Sequence, residues 1–453
     1  MRIPAMTLAT LSIPLLFGIL CFLCLPCSPV GAQARLPDQA GPEDGSPGQE
    51  RVMEIVRVLE ELEEKGTQDL WPGFRPSEIP VAVFDGDRTW LYRHPAPPEG
   101  FHRHPGEEGL HVMEGRHPAI RGNTSTELGG EETATIILSL LQDFPDVEDL
   151  AGVAIHEAFH VFQKRNHPEW GPGGMGLENP VTDETLLALR RTETALLREA
   201  LGEADPESAR ALTAAALEVR KERFSHLPPP IARFERGIEL MEGTAQHVQV
   251  TATGSTAGLR DLPPEGFPAE DLHMRSYATG LALTRLLERF LPDWETTVEA
   301  REDVALDALL GEVTQGVAAP DWQPIRAREM ERARRDVRGV EAARDSLRME
   351  FLERPGPSVV LVAPEDSPLR ARGLDPMNLH TVGEGQLLHT RWLKLGHPSG
   401  NAEVLDGSAL TFGVDGEHLT QGFRRVMVTG LQGDLSVREE EGEVVIQADG
   451  FQG

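Results

Sequence analysis

The hydrophobic period of this chain changes for good at the segment "RPGP" of residues 354–357, and that change limits what it can fold into. Before it, apolar residues recur every three or four positions over long stretches. After it they alternate in short runs: "SVVLVAP", "QLLHTRWLKL", "AEVLDGSALTFG", "FRRVMVTGL" and "EVVIQADG". The first pattern builds helices with one buried face, and the second builds strands. One layer cannot serve both, so the sequence predicts an α+β chain. A mostly helical body with a small N-terminal sheet spans residues 49–324. A connecting helix covers 325–355, and an all-β domain, sandwich or barrel, covers 356–453.

The N-terminus differs from both. Residues 1–34 hold Arg2, an apolar run and "VGAQA", with Ala32 and Ala34 in an A-x-A arrangement. This is the pattern of a secretory signal peptide cleaved after Ala34, with an uncleaved single-span anchor as the alternative. The expected location is secreted or periplasmic. Residues 35–48, rich in Pro, Gly and acidic groups, read as a disordered spacer. Cys21, Cys24 and Cys27, the three cysteines of the chain, all precede the cleavage point. The remainder must hold its fold without a disulfide, and any metal must be held by His, Asp or Glu. The formal net charge of −30 argues against nucleic acid or an anionic membrane face as partner. "NTS" at Asn123 fits a glycosylation sequon, of use only in a eukaryotic secretory host.

Within the helical body, Val52, Ile55, Val56, Leu59 and Leu62 share one helical face. Residues 71–142 contain short strands, "IPVAVF", "TWLYRH" and "TATIILSL", expected in an antiparallel or mixed sheet. The histidine-rich stretch from Arg93 to Pro118, with His102 and His104, reads as a solvated loop, a second metal site being the alternative. Residues 183–226 read as a helical hairpin broken at "GEADP". In the connecting helix, Met330, Val337, Val340, Leu347 and Phe351 form a seam that serves either its own domain or a coiled-coil partner.

The chemistry centres on "HEAFH", His156–His160, in a predicted helix from Asp146, its cap, to Asn166. Residues i and i+4 of a helix lie on one face, so His156 and His160 can point two imidazoles at one metal ion. Glu157 lies one step round, where it reaches a water on that metal rather than the metal itself. Zinc lowers the pKa of such a water, and a carboxylate can take its proton during attack on a carbonyl. A catalytic zinc needs a third protein ligand. "IELMEGTAQHV" offers Glu242, with Glu239 and Glu235 as competitors on the same helix. Gly243 costs about 1 kcal/mol of helix propensity, which suggests a close approach, expected to be that of the "HEAFH" helix.

"HEAFH" followed by "LMEGTAQHV" resembles the gluzincins, zinc metallopeptidases related to thermolysin and to the gluzincin aminopeptidases. The resemblance covers about 110 residues around the site. It implies a zincin-like catalytic domain and one Zn²⁺ held by His156, His160 and Glu242, with Glu157 as general base and a peptide or protein as substrate. It also implies a Tyr or His donor to the oxyanion, for which Tyr277 is the candidate and His273 the alternative, unless Tyr277 serves packing alone. The chain departs from the aminopeptidase pattern in three ways. Eighty-one residues separate His160 from Glu242, and the 183–226 hairpin occupies that interval. "GMGLEN", with Glu178, follows the zinc helix instead of preceding it. His247 stands where the aminopeptidase motif often has Tyr. The function expected is an exported zinc peptidase; the alternatives are an inactive zincin-like binding protein and a metal-free secreted interaction module.

Overall fold

A computed structural model describes residues 47–452 apart from 65, 67–69, 143, 145, 173–179, 302, 376–377, 406, 416, 441–442 and 450. The signal segment, most of the spacer and Glu178 lie outside the described residues. In chain order come α1 (Pro47–Glu64), β1 (Val81–Phe84), β2 (Arg88–Tyr92), β3 (His102–Arg103), β4 (Leu110–Glu114), β5 (Thr124–Leu128), β6 (Glu131–Ile137) and α2 (Val147–Asn166). Helices α3 (Glu184–Gly202), α4 (Pro206–Ser225), α5 (Pro229–Thr253), α6 (Leu272–Phe290), α7 (Trp294–Glu299), α8 (Leu306–Val313) and α9 (Gln323–Leu352) follow. The chain ends in β7 (Val359–Val362), β8 (Leu369–Leu374), β9 (Leu379–Gly383), β10 (Gln386–His389), β11 (Leu393–His397), β12 (Gly400–Val404), β13 (Ala409–Gly413), β14 (Gly422–Val428), β15 (Gln432–Glu440), β16 (Glu443–Asp449) and β17 (Phe451–Gln452). Among the described residues no helix is long and apolar enough to cross a membrane.

Contacts gather the chain into two units. The first comprises Met1–Pro172, Arg236–Asp261 and Ser276–Gln315; the second comprises Gly173–Glu235, Leu262–Arg275 and Gly316–Gly453. The α3–α4 hairpin and α9 therefore group with the C-terminal strands.

The first unit holds a six-stranded mixed sheet in the order β3-β4-β2-β1-β6-β5. Strand β1 pairs antiparallel with β2 and parallel with β6, Val81 opposite Ala134. The histidine-rich stretch is not simply a loop, because His102 and Arg103 pair with Val112 and His111 across β3 and β4. Its Pro and Gly mark the turns, and the alternation between them suffices for a hairpin. No second cluster of metal-binding groups occurs among the described residues. Asn123 is buried, and its Oδ1 accepts from the backbone N–H of Ile137 at 2.8 Å, while Thr124 and Ser125 of the sequon are half-buried.

In the second unit, Asp183 and Asp205 cap α3 and α4 by accepting from Leu186 N and Ser208 N at 2.9 and 2.8 Å. The α9 seam is used within the unit. Met330, Ala333, Val337 and Val340 pack on Leu187 and Ala188 of α3. Leu347 and Phe351 pack on Val382, Leu388 and Leu410 of the strands. The eleven strands of the C-terminal domain pair antiparallel throughout, and alternation sends Ala409 to one apolar cluster and Leu410 to another.

Candidate metal centre

Helix α2 is buried almost throughout, from Asp149 to Gln163, because apolar residues occupy all its faces. Asp146 holds the N-cap position, but its side chain makes no cap hydrogen bond. His156, Glu157 and His160 thus lie at the centre of the first unit, each under a tenth exposed.

Helix α5 brings the third group. Glu242 is fully buried, and its Oε2 lies 3.5 Å from His156 Nε2 and 3.3 Å from His160 Nε2. The two imidazole nitrogens are 3.0 Å apart. Neither competitor joins this group. Glu235 is bound to arginines of the second unit, and Glu239, though buried, is not among the converging atoms. A tetrahedral ion with bonds of about 2.0–2.1 Å needs ligand atoms about 3.3 Å apart, so the spacing of these three fits one. The trio could hold a metal ion.

Gly243 does meet another backbone, but that of α6 and not of α2. A Cβ at Gly243 would lie 2.6 Å from the carbonyl carbon of Gly280, and one at Gly280 would lie 2.6 Å from the carbonyl oxygen of Glu239. The two glycines let α5 and α6 cross backbone to backbone. Helix α2 approaches α5 elsewhere, through Gly152, whose missing Cβ leaves room for Thr253 and Gln249. Gly243→Ala is expected to lose about 1–3 kcal/mol in urea denaturation, because overpacking against fixed backbone outweighs the gain in helix propensity. Gly311→Ala in α8, where a Cβ meets nothing within 4 Å, is the control and should lose nothing.

The charges are strongly coupled. Burial works against the charge of Glu242, but His160 and His156 overcome it and hold the carboxyl well below the usual range. Burial likewise opposes the His160 cation, yet Glu242, with Glu157 behind it, pushes that imidazole up to about 9. His156 is lowered, by burial first and then by the charge on His160. Glu242 is therefore held as a carboxylate with the His160 imidazolium as its cationic partner. Glu157 is pushed up to about 8, chiefly by burial and further by Glu242, while His160 pulls it back.

No protein-family model, no curated protein and no solved structure matches this chain. The functional reading therefore rests on the site itself.

A small cleft of about 20 Å³, room for little more than a water molecule, opens beside the trio. It is lined by His156, Glu157 and Tyr277 with Phe144, Val153 and Leu259, and by the amides of Asn123, Gln246 and Gln249. Tyr277 thus faces the same space as Glu157, and His273 lies exposed one turn earlier on α6. His247 turns away from the trio, toward Trp71 and Trp294, with Nε2 3.2 Å from Glu295. Sequence reasoning missed the amides, Gln163 above all. The signal was present, since Gln163 follows His160 by three positions on the same helix.

Proposed function

We propose that this chain is an exported zinc-dependent peptidase of gluzincin type. The observation that carries this reading is the convergence of His156, His160 and Glu242 at tetrahedral spacing beside a cleft that Glu157 also lines. Two imidazoles and one carboxylate are the ligand set of a catalytic zinc with an open position. Zinc in that place supplies Lewis acidity, polarising a carbonyl and acidifying water.

The chain's own residues supply the rest. Glu157 accepts the proton of the attacking water and returns it to the leaving amine. Its Oε2 has no hydrogen-bond partner in the protein, so the acceptor is kept for the cleft. Tyr277 donates its hydroxyl proton to the oxygen that gains charge. Phe144, Val153 and Leu259 line the small space beside Glu157 with apolar surface and limit the water there.

Metal analysis of protein purified without chelator tests the reading. One zinc per chain is expected, with hydrolysis of a peptide library lost on chelation and restored by zinc. No stoichiometric metal would overturn it in favour of a metal-free interaction module. Bound zinc without cleavage of any peptide would make the chain a binding protein.

A further inference from the structure

We propose that Gln163 is a positioning residue for the metal centre, one side chain that orients His160 and ties it to the segment carrying Glu242. The inference rests on the reading of the trio as a metal site.

Gln163 Oε1 lies 2.7 Å from His160 Nδ1. Gln163 Nε2 donates to the Met241 carbonyl and to the Thr244 hydroxyl oxygen, each at 2.8 Å. These partners fix which way the amide points. The Thr244 hydroxyl donates its proton to the Leu240 carbonyl at 2.7 Å, and the Met241 carbonyl has none to give. An amide oxygen set against the Met241 carbonyl would meet no donor, whereas the amide nitrogen has two hydrogens. The amide oxygen is left for His160, and it can only accept.

The consequence falls on the imidazole. When the ring is neutral, His160 must carry its proton on Nδ1, which leaves Nε2, the atom facing Glu242 and His156, to serve as the ligand lone pair. The other end of the same amide holds the carbonyl of Met241, the residue before Glu242. A single side chain therefore sets the distance between a ligand on α2 and a ligand on α5. Gln163 and Thr244 are buried, so water does not replace these bonds.

The test compares wild type with Gln163→Met and Gln163→Glu. Zinc affinity is read by competition with a chromogenic chelator. The His160 tautomer is read in metal-free protein at pH 10, where the ring is neutral, from the ¹⁵N resonances of the histidine ring. Met fills the space of Gln with no hydrogen bonds, and it is expected to weaken zinc binding about 10–100-fold and to leave His160 in mixed tautomers. Glu keeps an acceptor for Nδ1 but loses both donors, so the tautomer should persist while zinc binding weakens. Wild-type affinity in Gln163→Met, or an unchanged Nδ1–H tautomer there, overturns the proposal. If Gln163→Met does not fold, Thr244→Val carries the test. It removes one anchor of the amide without touching His160, and unchanged zinc affinity would overturn the tethering role. Failure of wild type to bind zinc is a separate result. It sinks the metal reading, while the tautomer measurement still decides whether Gln163 orients His160.

Discussion

Glu157→Gln is expected to keep the metal and lower kcat about 10²–10⁴-fold on a peptide substrate. The amide has the shape of the carboxyl and cannot take a proton from water. Glu157 is buried, is not one of the three converging groups and faces the cleft with an unpartnered oxygen. Packing and metal content should therefore survive the change. The discriminating measurement is kcat together with zinc content in the same preparation. Retained zinc with retained hydrolysis would remove Glu157 from the role of base. Loss of zinc along with activity would mean that the substitution disturbed the centre, not the proton transfer.

The second large effect lies in the other unit. Arg223 is fully buried between two carboxylates, donating through Nε to Glu193 at 2.8 Å and through both terminal nitrogens to Glu235 at 2.8 and 2.6 Å. Arg220 and Arg275 complete the cluster on the same carboxylates. Arg223→Met should cost about 3–5 kcal/mol, because it leaves buried carboxylates short of their partner. A pH dependence accompanies it. Burial would raise the Glu193 carboxyl, but Arg220, Arg223 and Arg275 win and hold it at about 2. Glu235 is likewise held well below its usual range against burial, mainly by Arg223 and Arg275. Folded-state values below the unfolded 4.5 mean that the unfolded chain binds protons first as pH falls. The stabilisation is complete above that value and is lost progressively as the pH drops toward 2. Urea denaturation near pH 7 and near pH 3 should therefore differ strongly in wild type and less in Arg223→Met. A loss under 1 kcal/mol near neutral pH, or an unaltered pH dependence, would show that the cluster does not behave as a coupled unit.

What could be read in advance follows from how local each feature is. Helices α1 to α6 and α9 announce themselves because a buried stripe repeats within the chain segment itself. The pairing of His156 with His160 is equally local, since one helical turn places i beside i+4. Strands β3 and β4 were hidden because Pro, Gly and His dominate their neighbourhood and the alternation between turns is short. Strands β8 and β9 were hidden too, with "LRARGL" carrying arginines on its exposed positions. The demand of Gly243 for a close neighbour was visible, but its answer, Gly280 on α6, is 37 positions away in sequence, and no local signal joins the two.

The choice of the third converging group shows the division most sharply. Glu235, Glu239 and Glu242 are spaced i, i+4 and i+7, so all three fall on one face of α5, and all three are buried. Sequence determined that face, the acidic groups on it and the pairing of the two histidines on α2. It could not choose among them, because the choice depends on depth along the helix axis, where seven residues make about 10 Å. The placement of α5 against α2 decided it. Gln163 reaches Met241, the Gly152 notch admits Gln249 and Thr253, and Glu242 comes level with the imidazoles while Glu235 is left to the arginines. Periodicity assigns a side chain to a face, and only packing between helices assigns it a height.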